Sequence, residues 1–511
     1  MKKEQDFTES VWTANVHSKG YPALTNDLEV DVAIVGGGIT GISAAAMLTA
    51  KGKNVVVLEA HSIGKGSTGY STGNLYATVG ERLSSIDSKH GEETMFQVVD
   101  SRTFAINFIQ EQVNKHHIDC EFQRVPWHLF TTNSSKEKEE EVVEKEFDAA
   151  HRANLEAINS VPYIFPFPDV SKITTIDHQA QINPYKYVLG LADSLDSEKC
   201  QIFEHTKVLN VEEGTPCTVH TKNGIVKAKQ VIMATHSPKG IYEVHTEMEV
   251  YREFALAAKI KGTLPLEGIY WHVNDSYQYS IRPYSNENGN FLIIVGEPYL
   301  VGTINNTEEC LLKVEQYLHE HFDVESIVYR WAAQNYKSGD GLPYIGTSPL
   351  QSNVFIATGF KADGLVYGTL AASIITDSIF GIENDWSKLY NPKRFTPLAT
   401  AGQFIKENIN VITSLVKDYF FYGEVDELKE IKAGEGKTLK LDDEKVAAYR
   451  DENGQLHIVS SVCTHLGCIV HFNNAEKSWD CPCHGSRFTI DGEVIEGPAY
   501  KNLAKPKDTA S

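Results

Sequence analysis

The sequence predicts a mixed α/β protein with a small all-β domain at its C-terminal end. Three stretches carry that expectation. Residues 30–60 run strand, glycine turn, helix, strand. Residues 250–300 alternate apolar and polar positions with the two-residue period of antiparallel strands. Beyond Gly423 the chain shortens into small strands and tight turns, as at Gly434-Glu435-Gly436 and Asp451-Glu452-Asn453-Gly454. At 511 residues the chain exceeds what one hydrophobic core organises, so two or three domains are expected.

Val30 to Val35 reads as an apolar strand, Gly36-Gly37-Gly38-Ile39-Thr40-Gly41 as the turn, Ile42 to Ala50 as an Ala-rich helix, and Asn54 to Leu58 as a second strand. Ser135 to Arg152 reads as a charged helix. Its run Lys136-Glu137-Lys138-Glu139-Glu140-Glu141 marks a solvated face. Strand patterns follow at Tyr277-Gln278-Tyr279-Ser280-Ile281 and Phe291-Leu292-Ile293-Ile294-Val295, and Glu308 to His321 has amphipathic helical spacing. Val354-Phe355-Ile356-Ala357-Thr358 is a strand, followed by a glycine turn and a long small-residue helix. Lys406 to Tyr422 places Ile409, Ile412, Val416 and Tyr419 on one helical face. It is expected to be a linker helix packed on the main body, with a domain boundary near residue 424.

Acidic residues outnumber basic ones 68 to 47, a formal charge of −21. Nucleic-acid affinity rests mostly on Lys and Arg at phosphates, so no nucleic-acid partner is expected and small-molecule partners are favoured. Lys2 and Lys3 are not followed by an apolar stretch, so no signal peptide is readable. No window approaches the apolar length of a membrane span, and Leu365 to Phe380, the best candidate, is broken by Asp377. The expectation is a soluble, cytoplasmic protein with no transmembrane segment.

The Gly36-x-Gly38-x-x-Gly41 spacing is weak alone, and Gly64-x-Gly66-x-x-Gly69 repeats it without opening a helix. Context strengthens the first. It follows a strand, opens a helix, and has Glu59 ending the second strand, 18 residues beyond Gly41. Such a turn lets a pyrophosphate approach the helix N-terminus, with Glu59 accepting from a ribose hydroxyl.

Cys120, Cys200, Cys217 and Cys310 are scattered, but Cys463, Cys468, Cys481 and Cys483 fall within 21 residues. That clustering reads as metal-binding or redox chemistry. Cys463-Thr464-His465-Leu466-Gly467-Cys468 and Cys481-Pro482-Cys483-His484-Gly485-Ser486 offer Cys/His pairs that zinc also takes. One loop has Cys-x-His and the other Cys-x-x-His, with one further Cys in each, which resembles the Rieske [2Fe–2S] pattern. The resemblance implies Cys463 and Cys481 on the inner iron and His465 and His484 on the outer one. It places Cys468 and Cys483 like the pair that forms a loop-to-loop disulfide in quinol-oxidising Rieske proteins. Those relatives have a Tyr two residues after the serine that matches Ser486; here that position is Phe488. A ring-hydroxylating oxygenase would need an iron domain behind the cluster, which the 27 residues after His484 are too few to form.

The cluster bears on the other cofactor. A nicotinamide gives up two electrons together, whereas a [2Fe–2S] cluster takes one at a time. A flavin accepts two and releases them singly, so FAD is expected at the glycine turn.

Residues of about 8–400 resemble the D-amino-acid oxidase/glycine oxidase (DadA-like) family of flavoproteins. The whole chain resembles its bacterial branch with a C-terminal Rieske domain. The segments that carry this are Asp31 to Gly41, Gly66-Ser67-Thr68-Gly69 with Ser71-Thr72-Gly73-Asn74, Val231-Ile232-Met233-Ala234-Thr235, Asp340 to Gly346, and Ala357-Thr358-Gly359-Phe360 with Gly364 and Gly368. The resemblance implies a Rossmann-like FAD-binding domain interleaved with an antiparallel-sheet substrate domain, then a small all-β Rieske domain. The expected division is 1–400 for the oxidoreductase, with FAD-binding parts at about 28–95, 160–240 and 335–400 and substrate parts at about 96–159 and 241–334. A linker follows at 401–423 and the Rieske domain at 424–511. The implied FAD contacts are Gly36, Gly38, Ile39, Thr40 and Gly41 in the turn, then Glu59 and Ala60. Gly66, Ser67, Thr68, Ser71 and Thr72 follow, with Val208, Ala234 and Thr235, and finally Gly341, Gly359, Phe360, Gly364 and Leu365. The last helix, starting near Gly368, would face the flavin's carbonyl edge. Two departures stand out: Lys361-Ala362-Asp363-Gly364 where relatives have Asn-Lys-Trp-Gly, and Thr68-Gly69-Tyr70 where they have Thr-Gly-His.

Arg282, between Tyr279 and Tyr284 on a predicted strand, is a candidate carboxylate clamp. Tyr279 and Lys361 complete the catalytic candidates, and Arg252 and Tyr251 are weaker ones. The expected activity is oxidation of a C–N bond in an amine or amino acid, with electrons passed to the cluster and on to an external acceptor. The alternatives are another CH–X substrate, such as a hydroxy acid, or a non-catalytic redox sensor or electron-transfer protein.

Overall fold

The computed structural model describes residues 7, 9–238, 248–274, 277–394 and 423–506. The expected linker helix lies outside the described residues. An eight-stranded sheet is built around Leu28–Val35, which pairs in parallel with Val55–Leu58 on one side and Ile225–Met233 on the other. Cys200–Phe203 and Val354–Thr358 extend it in parallel, and Tyr344–Thr347 adds an antiparallel edge. Both faces are buried. Val32 and Ile34 enter one core and Ala33 and Val35 the other, which explains why this strand reads as an unbroken apolar run.

A nine-stranded, largely antiparallel sheet forms the second layer. Along Met248–Ile260, Ala255 and Ala257 face the core shared with the first sheet, while Phe254, Leu256 and Ala258 face the helix Glu308–His321. That helix presents Leu311, Val314, Tyr317 and Leu318 to them, as its spacing predicts. A three-stranded and a four-stranded antiparallel sheet make up the C-terminal domain. The architecture is the expected α/β plus all-β one.

Several details differ from expectation. The strand Val170–Gln181 runs in the nine-stranded sheet, paired with Gln123–Thr132, whereas the expected FAD-binding part spans about 160–240. The long helix begins at Gly364, directly after Asp363, so Gly368 lies inside it. A Cβ at Gly368 would come 2.5 Å from Thr40 Oγ1, so this glycine serves the packing of Ile39–Ala50 on Gly364–Phe380. In the charged helix Glu137–Arg152, Glu139 is buried and accepts from the Lys136 N–H at 2.8 Å, closing the first turn. Only the rest of that run is solvated.

Candidate functional site

The first helix starts where the parallel strands end, at the point where the strand order reverses. Gly36 has φ +109°, and a Cβ there would lie 2.4 Å from the Ala234 carbonyl oxygen. A Cβ at Gly41 would lie 2.0 Å from the Gly36 carbonyl oxygen, so helix and strand pack with backbone in contact. The Glu59 carboxylate accepts from the N–H groups of Gly37 and His61, each at 2.8 Å. It therefore braces the turn as well as facing the space expected for a ribose. Thr68 Oγ1 accepts from the Ile39 N–H at 3.0 Å and ties the second glycine-rich segment to the first.

A cavity of about 1020 Å³ opens over this turn. Its walls include Gly36, Gly38, Ile39, Thr40, Glu59, Ala60, Gly66, Ser67, Thr68, Ser71 and Thr72. They also include Val208, Ala234, Thr235, Phe360, Lys361, Gly364 and Leu365. Gly41, Gly341 and Gly359 are not among them. Gly41 is taken up by the helix–strand contact, Gly341 packs near Glu81, and Gly359 faces Pro343 and Ser338. A Cβ at Gly66 meets nothing within 4 Å, so bare backbone faces the cavity there. A space of this volume over a helix N-terminus, walled by glycines, fits a dinucleotide.

Two of the three catalytic candidates are turned elsewhere. Gln278 and Ser280 line the cavity, so Tyr279, between them, points to the opposite face. There it stacks on Tyr317 at 3.7 Å and donates to Glu297 at 2.5 Å. Arg282 is buried beyond the cavity's end. It donates to the carbonyls of Thr72 at 2.7 Å and Ile182 at 3.0 Å and lies over the Trp12 ring. Its Nη1 is held by backbone, its Nε is buried without a hydrogen-bond partner, and burial lowers its pKa to about 10. Lys361 does line the cavity, donating to the Gly80 carbonyl at 3.0 Å and pairing with Glu81 at 3.0 Å. Burial alone would raise the Glu81 pKa, but Lys361 and Lys337 hold it down to about 2.

The cavity also holds residues that sequence reasoning passed over. Arg82, with φ +78°, donates to the Gln278 side chain and lies over the Trp271 ring at 5.2 Å. Its Nη1 is buried without a hydrogen-bond partner. Glu253 lines the same wall, and burial raises its pKa. Neither stands in a motif. Glu253 lies in a region predicted to form strands, and no local signal marks Arg82.

In the C-terminal domain the two Cys/His loops converge. The rings of His465 and His484 stand 4.9 Å apart, edge to face. Cys468 and Cys483 are joined by a disulfide, leaving Cys463 and Cys481 as the free, buried thiols of this domain. The Cys463 thiol is drawn down to about 7, first by its hydrogen bond with Cys481 and further by the N–H groups of His465 and Leu466 and the Ser486 hydroxyl. Two thiols and two imidazoles form the donor set of a Rieske cluster. A third wall of the cavity comes from this domain, through Glu476, Arg487, Ile495, Glu496, Ala499 and Tyr500. The weaker candidate Arg252 lies at that junction, paired with Glu476, whereas the Tyr251 hydroxyl donates to Glu249 at 2.9 Å.

Residues 31–378 match the FAD dependent oxidoreductase family (DAO), and residues 421–507 match the Rieske [2Fe-2S] domain. The chain is 32% identical over 507 residues to YhfW of Bacillus subtilis (strain 168), a Rieske 2Fe-2S iron-sulfur protein by its name, covering 98% of this chain and 97% of that protein. It is 24% identical over 395 residues to gamma-glutamylputrescine oxidoreductase of Escherichia coli (strain K12), covering 74% and 90%. The fold is similar to that of glycine oxidase from Geobacillus kaustophilus, with a TM-score of 0.60 and 18% identity over 72% of this chain and all of that one. Among the described residues no helix is long and apolar enough to cross a membrane. The chain belongs to the FAD-dependent oxidoreductase (DAO) family, as an enzyme that binds FAD and carries a C-terminal Rieske domain for a [2Fe–2S] cluster.

Proposed function

We propose that this enzyme oxidises a C–N bond in an amine or amino acid and that the electrons leave through the Rieske cluster to an external acceptor. The single observation that carries this reading is the cavity itself, whose walls come from the glycine turn, the nine-stranded sheet and the C-terminal domain together. Bound FAD supplies the two-electron acceptor. The cluster would be held by Cys463 and Cys481 on one iron and His465 and His484 on the other, and the FAD pyrophosphate by the turn from Gly36 to Gly41.

The chain's own residues supply recognition and proton handling. Arg82 offers a buried guanidinium edge with a free Nη1, a partner for a substrate carboxylate. Gln278 and Trp271 fix its orientation. Glu253, raised by burial, is a proton acceptor for a substrate ammonium, which must lose its proton before oxidation. Lys361, fixed by Glu81 and Gly80, sets a positive charge on the adjoining wall. Relatives that act on amino compounds, gamma-glutamylputrescine oxidoreductase and glycine oxidase by name, support the substrate class.

Anaerobic mixing of the oxidised enzyme with panels of amines, amino acids and hydroxy acids tests this. Flavin bleaching by amino compounds, followed by cluster reduction at its own wavelengths, is the expected outcome. Bleaching by hydroxy acids alone would overturn the C–N assignment.

A further inference from the structure

We propose that the C-terminal domain is a fixed wall of the cavity, clamped by a buried ionic network, with the His484 loop held against that cavity by Gln334 and Tyr336. The positioning of the cluster rests on the reading that electrons leave FAD through it; the fixed wall does not.

The network joins elements far apart in sequence. Arg252, on the strand Met248–Ile260, grips the Glu476 carboxylate through Nε and Nη2. Arg487 Nη2 reaches the same carboxylate at 3.1 Å, and its Nε donates to Asp480 at 2.9 Å. Glu496 lies 3.7 Å from Arg252 Nη1 and 3.7 Å from His236 Nδ1. Buried ion pairs add little net stability over apolar packing of the same volume, because each charge loses its hydration. What they impose is one arrangement, since any slippage strands a charge out of water.

The rest of the junction agrees. Asn474 Oδ1 accepts from the Thr307 N–H at 2.8 Å, at the N-terminus of the helix Glu308–His321. Thr307 Oγ1 lies 2.7 Å from Asn473 Oδ1 and accepts from the Ala475 N–H at 3.1 Å. Two glycines with left-handed φ let backbone meet the opposite domain. A Cβ at Gly302 would fall 2.7 Å from the Pro482 nitrogen, and one at Gly485 would fall 2.5 Å from Val250 Cγ1. These contacts land on the cluster loop itself. Gln334 Nε2 donates to the Gly485 carbonyl, next to His484, and to the Tyr336 hydroxyl, each at 2.8 Å. Tyr336 donates on to the Gly497 carbonyl at 3.1 Å. Both side chains line the cavity. His484 is buried, whereas His465 is half-buried. The two imidazole edges of the cluster site are therefore inequivalent.

The test uses the full chain loaded with FAD and cluster. Hydrogen exchange read by mass spectrometry is expected to show slow exchange across residues 473–487, equally in the oxidised and dithionite-reduced protein. Gly302→Val, which pries the junction apart without touching a charge, should speed that exchange by at least about tenfold. It should also raise iodide quenching of flavin fluorescence, with iron and labile sulfide analysis showing that the cluster is retained. Glu476→Gln should act in the same direction and less strongly, and serves if Gly302→Val fails to accumulate. Fast exchange in the unaltered protein overturns the fixed wall, whatever the electrons do. Flavin-to-cluster transfer at an unchanged rate in a variant whose junction has opened overturns the positioning role of the His484 loop. A flavin that no amino compound bleaches, beside a slowly exchanging junction, overturns the proposed function and leaves the wall standing.

Discussion

The surroundings of Asp363 account for its presence. Its carboxylate accepts from the Tyr76 hydroxyl at 2.5 Å and the Gly80 N–H at 3.0 Å, and it lies 3.5 Å from the fully buried Arg102 guanidinium. Removing one partner of a buried pair strands the other, so Asp363→Ala is expected to cost about 3–5 kcal/mol, read from denaturant midpoints of the holoprotein. A cost below about 1 kcal/mol would mean that water reaches Arg102. Arg82 makes a different prediction. If its free Nη1 receives a substrate carboxylate, Arg82→Met should raise KM for amino acids and spare amines that lack the carboxylate. An equal loss for both classes would refute the clamp. Around the cluster, Ser486 donates toward Cys463, and such donors stabilise the reduced, more negative state. Ser486→Ala should therefore lower the reduction potential. Phe488, fully buried opposite Trp479, holds the position of the missing tyrosine donor, so Phe488→Tyr should raise it. Redox titration of both variants decides the point.

The strand–turn–helix unit depends on backbone reaching the ligand. A side chain at Gly38 would stand in the cavity 3.1 Å from Thr68 Oγ1. Gly38→Val should thus yield full-length protein with little FAD and an intact cluster spectrum; normal flavin content would relocate the dinucleotide site. This unit was legible because its signals are local: an apolar strand, three spaced glycines and an Ala-rich helix within 30 residues. The cluster loops were legible for the same reason. Other features depended on contacts no local pattern encodes. Alternation along Tyr277–Asn286 sorts side chains by face, but only tertiary packing puts Arg282 past the cavity's end. The resemblance places the start of the last helix near Gly368, whereas it lies at Gly364, where Asp363, held by Arg102, precedes the first turn. Arg82 had no motif, and Arg252 met its partner 224 residues away.

The junction between the domains gives the whole molecule an acid-sensitive element. Burial alone would raise the Glu476 pKa, but Arg252 and Arg487 hold it down to about 2, from an ordinary 4.5. A carboxyl whose folded pKa is depressed binds its proton less readily in the folded protein than in the unfolded one. Its stabilisation is therefore complete above about pH 4.5 and is lost as the pH falls toward 2. Protonation would also leave Arg252 and Arg487 facing each other with their shared counter-charge gone, a repulsion that already opposes the Arg252 charge. Glu81, held at about 2 beside Lys361 and Lys337, adds acid sensitivity with the same sign on the cavity's other wall. Stability measured by denaturant from about pH 6 to 3 should thus fall more steeply for the native protein than for Glu476→Gln. The slopes should differ by up to about 1.4 kcal/mol per pH unit, the limit for one proton. Hydrogen-exchange protection of residues 473–487, corrected for the chemical exchange rate at each pH, should fall over the same interval, ahead of protection in the strand Leu28–Val35. Parallel slopes for the two proteins would show that Glu476 keeps its proton balance on unfolding and that the junction does not report acid.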